Sequence, residues 1–128
     1  MSDSSQYRVV LRLLKYSPAQ RERYLFRVHI QTLQSFAGLP YRLEVEHRQS
    51  GTIHRFVIRG LRLAADFAQL AASEAIYMED FQFVHDGEVH VVIEHAGQLC
   101  TIPIHLHHGR WQIKSFDAPR FLVVESEP

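Results

Sequence analysis

Three glycine turns, His85-Asp86-Gly87, Ala96-Gly97 and His108-Gly109, divide residues 79–116 into four segments in which apolar and polar side chains alternate. Glycine supplies the positive φ that tight hairpins favour, and a period of two sends successive side chains to opposite faces of a strand. The stretch therefore reads as four β-strands. Register follows from matching apolar with apolar positions. A two-residue Ala96-Gly97 loop sets His95 against Gln98, Ile93 against Cys100, Val91 against Ile102 and Val89 against Ile104. A two-residue His108-Gly109 loop sets Leu106 against Trp111 and Ile104 against Ile113. For the first turn, a three-residue loop with a bulged glycine pairs Phe83 with Val89 and Phe81 with Val91, because a one-residue slip would exchange the faces. The expected result is one continuous apolar face running from Phe81 to Ile113.

The rest of the chain continues the same logic. Tyr7 to Tyr16 and Tyr24 to Leu33 both alternate, and Ser17-Pro18-Ala19-Gln20 supplies a turn between them. They form a hairpin with Arg8, Arg12 and Arg27 on its outer face. A second hairpin turns at Ser50-Gly51; its expected register sets His47 against His54, Val45 against Phe56, Leu43 against Ile58, Glu46 against Arg55 and Arg42 against Arg59. The period changes in one place only. Asp66 with Gln69 resembles a capping box, and Phe67, Leu70 and Ala71 share a helical face, so a short helix is expected over about residues 66–75. A last short strand covers Phe121 to Val124. The fold class is mainly β: an antiparallel meander of about nine strands, forming a small barrel or a two-layer sandwich, with the helix over an opening or an edge. The architectural alternative is an α+β roll with one curved sheet around the helix. A single domain over residues 1–128 is expected, with 1–5 and 125–128 frayed.

The formal net charge is zero, yet the charges are unevenly placed. Residues 1–62 carry eleven Lys and Arg against four acids, and residues 63–128 carry three against ten. Either strands from the two halves lie side by side and pair their charges, or one basic face binds an anion or an acidic protein surface. The single cysteine, Cys100, falls on the expected core face, where an inert thiol is the expectation. A start without a basic region and apolar run, and the lack of about 18 consecutive apolar residues, lead to the expectation of a cytoplasmic protein away from membranes.

Nine histidines invite a metal hypothesis. His105 and His107 project from one face of a strand, and His90, opposite Pro103, lies diagonal to His105. These three imidazoles are the candidate ligands for a transition metal such as zinc. The His-x-His spacing is similar to that of the cupin barrels, which place a carboxylate a few residues later; here His108, Gly109, Arg110, Trp111 and Gln112 follow. Solvated histidines near turns are the competing explanation. The pairs His47 with His54 and His107 with His108 would repel when protonated, so stability or solubility should decline below about pH 6.

Candidate anion- or partner-binding residues are Arg8, Arg12, Arg27, Arg42 and Arg59. Aromatics alternate to the face opposite the arginines, as in a core strand, which argues against nucleic acid. There is no phosphate loop, nucleophile elbow or Cys with a placed His, so catalytic residues are not assigned. The expected function is a small non-catalytic interaction module that binds a protein partner or itself; the alternative is a barrel with a histidine metal site or small-ligand cavity.

Overall fold

The computed structural model describes residues 6–16, 23–34, 41–63, 75–83, 87–107, 110–114, 116–117, 119 and 121–127. Within them run nine strands: β1 (Tyr7–Tyr16), β2 (Arg23–Thr32), β3 (Tyr41–Ser50), β4 (Ile53–Leu63), β5 (Ile76–Phe83), β6 (Gly87–His95), β7 (Gln98–His107), β8 (Arg110–Ile113) and β9 (Leu122–Glu127). They form two mixed sheets, of order β5-β2-β1-β9 (sheet A) and β3-β4-β6-β7-β8 (sheet B), and neither closes into a barrel. Nor do they form one curved sheet. The helix expected over residues 66–75 lies outside the described residues except for Ala75, which is buried and non-helical. Ala75 is clamped to Thr32 by two hydrogen bonds, its N–H donating to Oγ1 at 3.0 Å and its carbonyl accepting from the Thr32 N–H at 3.0 Å.

Between β6 and β7 and between β7 and β8 the sequence register holds. β6 and β7 pair Ile93 with Cys100, Val91 with Ile102 and Val89 with Ile104. β7 and β8 pair Leu106 with Trp111 and Ile104 with Ile113. Ala96 and Gly97 adopt φ of 51° and 80°, both in the left-handed region that a type I′ hairpin requires. β1 and β2 are the expected antiparallel hairpin with arginines outward.

Three expectations need correction. The meander is not purely antiparallel, because β4 pairs with β6 and β1 with β9 in parallel. The last strand, expected over Phe121 to Val124, runs over Leu122–Glu127, and its residues 125–127 lie beside Val10, Leu11 and Arg12. The β5–β6 hairpin does not form either: β5 pairs with β2, Phe81 opposite Phe26, while β6 joins the other sheet. Alternation fixes which face of a strand is apolar, not which strand lies beside it. Phe81 reaches the core from the layer opposite Val91.

The second hairpin is shifted too. Its loop is Gly51-Thr52, with Gly51 at φ 58°. His47 therefore lies opposite Phe56 and Gln49 opposite His54, and an irregularity between Glu44 and Val45 brings Arg42 opposite Arg62. A shift of two residues leaves the same side chains facing inward, so apolar matching could not detect it.

Both sheets contribute to one core. Val9, Leu11, Phe26, Val28 and Ile30 from sheet A, and Phe56, Val91, Ile93, Ile102 and Ile104 from sheet B, are fully buried within it. Phe26 joins the layers, with ring centroids 5.3 Å from Phe81 and 5.4 Å from Trp111. Removing a phenyl ring from such a position costs about 3–5 kcal/mol. Cys100 lies in this core, where burial pushes its thiol up to about 11.

The charge asymmetry is resolved by pairing across the halves. Arg8 meets Glu125, Arg27 meets Asp80 and Arg55 meets Glu94. Among the described residues no helix is long and apolar enough to cross a membrane.

Candidate functional site: an arginine-lined face and a histidine–carboxylate seam

Strand alternation sends Arg8, Val10 and Arg12 of β1 outward beside Arg27, His29 and Gln31 of β2, since the intervening residues fill the core. Hairpin register sets Arg12 against Arg27, Val10 against His29 and Arg8 against Gln31. Together with Met78 of β5 and Glu125 of β9 they line a depression of about 280 Å³. The carboxylates stand at its borders. Asp80 receives two hydrogen bonds from Arg27, Nε to Oδ1 at 2.8 Å and Nη2 to Oδ2 at 3.0 Å. That fork holds the Asp80 carboxyl below its ordinary range and raises Arg27 further. Glu125 approaches Arg8 Nε at 3.4 Å, an ion pair without hydrogen-bond geometry.

The centre of the depression is less well satisfied. Nε2 of His29 is shielded from solvent and has no hydrogen-bond partner among the described residues, and Arg8 Nε shares that condition. Burial lowers the pKa of His29, and the nearby charges of Arg27 and Arg12 lower it further. A neutral imidazole at pH 7 follows. Buried polar atoms without partners cost about 1–3 kcal/mol each.

The other two candidate arginines lie elsewhere. Arg42 of β3 and Arg59 of β4 are exposed on the outer face of sheet B. There Glu46 accepts from Arg48 Nε at 2.9 Å and from Arg59 Nη2, which pulls its carboxyl down to about 2. Arg55 donates to Glu94, and Val57 beneath these side chains is only 6% exposed. The structure thus gathers Arg8, Arg12 and Arg27 and separates them from Arg42 and Arg59.

The candidate metal ligands are not gathered in the same way. His105 and His107 stack with ring centroids 6.3 Å apart, and His90 lies opposite Pro103. Among the described residues no three His, Cys, Asp or Glu side chains are grouped so as to hold a metal ion.

A second polar constellation sits where the β3 side of sheet B meets β5 of sheet A. Glu79 Oε2 lies 2.9 Å from His47 Nδ1 and accepts a hydrogen bond from the Tyr77 hydroxyl. His47 Nε2 lies 3.0 Å from His54 Nδ1. His47 stacks on Phe56 at 4.3 Å and His54 on Phe81 at 3.9 Å. Both nitrogens of His47 are engaged on opposite sides, so Tyr77, Glu79, His47 and His54 form a chain and not a cage. Burial, and then the neighbouring His47, lower the pKa of His54 to about 4. Burial and Glu79 raise that of Tyr77 well above its usual value.

Sequence reasoning placed His47 near His54 but missed Glu79, Tyr77 and His29. One signal was present: in Tyr77-x-Glu79-x-Phe81 a carboxylate occupies the inward position between two aromatics, where an apolar residue is expected. No protein-family model, curated protein or solved structure matches this chain.

Proposed function

We propose that the chain is a binding module that captures an acidic stretch of a protein partner on the outer face of sheet A. The observation that carries this reading is His29 Nε2, a shielded polar atom without a partner among the described residues, at the centre of a depression lined by Arg8, Arg12 and Arg27. An incoming carboxylate supplies the missing acceptor for His29 and Arg8 and adds charge-assisted hydrogen bonds, each contributing about 1.5–3 kcal/mol. Val10 and Met78, the latter 55% exposed, offer apolar contact beside it. The ligand chemistry is therefore an acidic side chain flanked by an apolar one.

The test is fluorescence polarisation with a labelled nonapeptide of alternating Glu and Leu, and a Lys-Leu peptide as control. Binding of the acidic peptide alone is expected, weakening with added salt. Affinity should rise as pH falls from 8 to 6, because an anion at His29 favours the imidazolium and binding takes up a proton. Equal binding of both peptides, or affinity unchanged in His29→Ala, would overturn the reading.

A further inference from the structure

A different part of the molecule carries a second inference. We propose that the Glu79–His47–His54 chain is an acid-sensitive latch between the two sheets, closed while the two imidazoles hold at most one extra proton and opened by the second.

Two contacts fix where the protons of this chain lie. Glu79 as a carboxylate requires a proton on His47 Nδ1, and the Tyr77 hydroxyl donates to the same carboxylate. The 3.0 Å contact between His47 Nε2 and His54 Nδ1 requires one shared proton. Two states meet both requirements. In one, both imidazoles are neutral and His54 donates; in the other, His47 is a cation balanced by Glu79 and donates to neutral His54. A further proton places two N–H groups and two positive charges against each other. The contact then repels, and His54, which is 5% exposed and stacked on Phe81, has little exposure through which water can solvate the second charge while the seam is closed.

Among the described residues the surroundings offer no compensation. Around the pair, β3 contributes His47 itself and Gln49, and β5 contributes Tyr77 and Glu79. The inward faces of β6 and β2 near it carry Val91, Ile93, Phe26, Val28 and Ile30, none of which titrates. His95 lies at the far end of β6 against Tyr7 and Phe121. Arg48 and Arg55 project from the outer face. Among the described residues, Glu79 is the acid facing the pair, and one carboxylate balances one cation.

The sign follows. The unfolded chain protonates His54 near pH 6.5, whereas in the folded chain it stays neutral down to about 4. Between those values the unfolded state binds more protons, so stability falls as the pH drops through the window and levels below it. The strands freed are β5 and β3, each at the edge of its sheet.

Trp111 is an internal reporter, because its ring meets Phe26, which meets Phe81, which covers His54. Tryptophan emission and the urea midpoint are to be measured from pH 7.5 to 4 on the wild type and on His54→Gln, which fills the site with a group that does not titrate here. Expected in the wild type is a red shift of emission and a falling midpoint between about pH 6 and 4. In His54→Gln the emission step should disappear and the midpoint should fall less. Coincident pH profiles for the two proteins would overturn the proposal. Should His54→Gln not fold, histidine-selective NMR on the wild type decides. A His54 resonance titrating at least one unit below 6.5, with the Trp111 indole signal following it, supports the latch. Titration near 6.5, or an indole signal indifferent to it, excludes it.

Discussion

The outer faces of the two sheets begin from the same pattern, strands with arginine at alternate outward positions, and end in opposite states. On sheet B, Glu46 lies on the strand that carries Arg48, and within reach of Arg59 on the next; Glu94 answers Arg55 from β6. Acids are interleaved among the cations, and the side chains close over Val57. On sheet A the described outward positions of the two central strands carry Arg8, Arg12, Arg27 and His29 and no acid. Asp80 and Glu125 come from the flanking strands β5 and β9. His29 Nε2 and Arg8 Nε are thus left without hydrogen-bond partners among the described residues; Arg55 Nε on sheet B is left likewise, but sheet A brings two such atoms to one depression. The number of arginines is not what distinguishes the two faces; the placement of the acids is, interleaved among the arginines on sheet B and confined to the flanking strands on sheet A.

The largest expected effect is the direct contrast. Arg12→Glu on sheet A should weaken the acidic peptide by about 100-fold, since it removes a charge-assisted donor and adds a repelling carboxylate, together on the order of 3 kcal/mol. Arg59→Glu on sheet B should change affinity by less than about twofold, screened and distant as it is. Polarisation titrations on both variants, each checked for an unchanged far-ultraviolet circular dichroism spectrum, decide it. Comparable losses in both would show that the peptide reads general charge, and the distinction between the faces would collapse.

A smaller effect tests the centre of sheet A from the other direction. His29→Leu removes the shielded, unpartnered Nε2 while keeping comparable bulk. Relief of an unsatisfied buried polar atom should raise stability by about 1 kcal/mol in urea denaturation, while peptide affinity falls about tenfold. Stability gained at the expense of binding is the signature of a functional group. A variant that loses stability would mean that His29 is satisfied in the folded chain, and sheet A would then resemble sheet B.

How much of this could be read from the chain depends on distance along it. The Ala96-Gly97 turn specified its register because two strands meet across a two-residue loop with a fixed geometry. The arginine stripe of β1 and β2 was legible from the alternation within each strand, as was the burial of Val9, Leu11, Phe26 and Val28. The parallel pairing of β4 with β6 was not, because β5 intervenes in sequence and lies in the other sheet. With β5 assigned to the wrong neighbour, Glu79 could not be placed beside His47. The division of the five arginines was hidden likewise: Asp80 is 53 residues from Arg27, and no local pattern links them. Sequence periodicity gives faces, and long-range pairing decides what each face meets.

The smallest effect concerns Glu46, which accounts for the difference on the sheet B side. Its carboxyl is held at about 2 by hydrogen bonds from Arg48 and then Arg59, against about 4.3 in an unfolded chain. The folded value is the lower one, so the stabilisation is fully present above the unfolded value and is lost as pH falls through the folded one. Glu46→Gln should therefore be less stable than the wild type at pH 7, and the two urea midpoints should converge between about pH 4.5 and 2. Because the group is exposed, 1 M salt should shrink the gap at pH 7 as well. If the variant matched the wild type at pH 7, Glu46 would not compensate Arg48 and Arg59 as their hydrogen bonds indicate. Carboxylate placement would then fail as the explanation for why, among the described residues, sheet A holds a depression with two partnerless nitrogens, His29 Nε2 and Arg8 Nε, and sheet B a more fully paired cover in which Arg55 Nε lacks a partner.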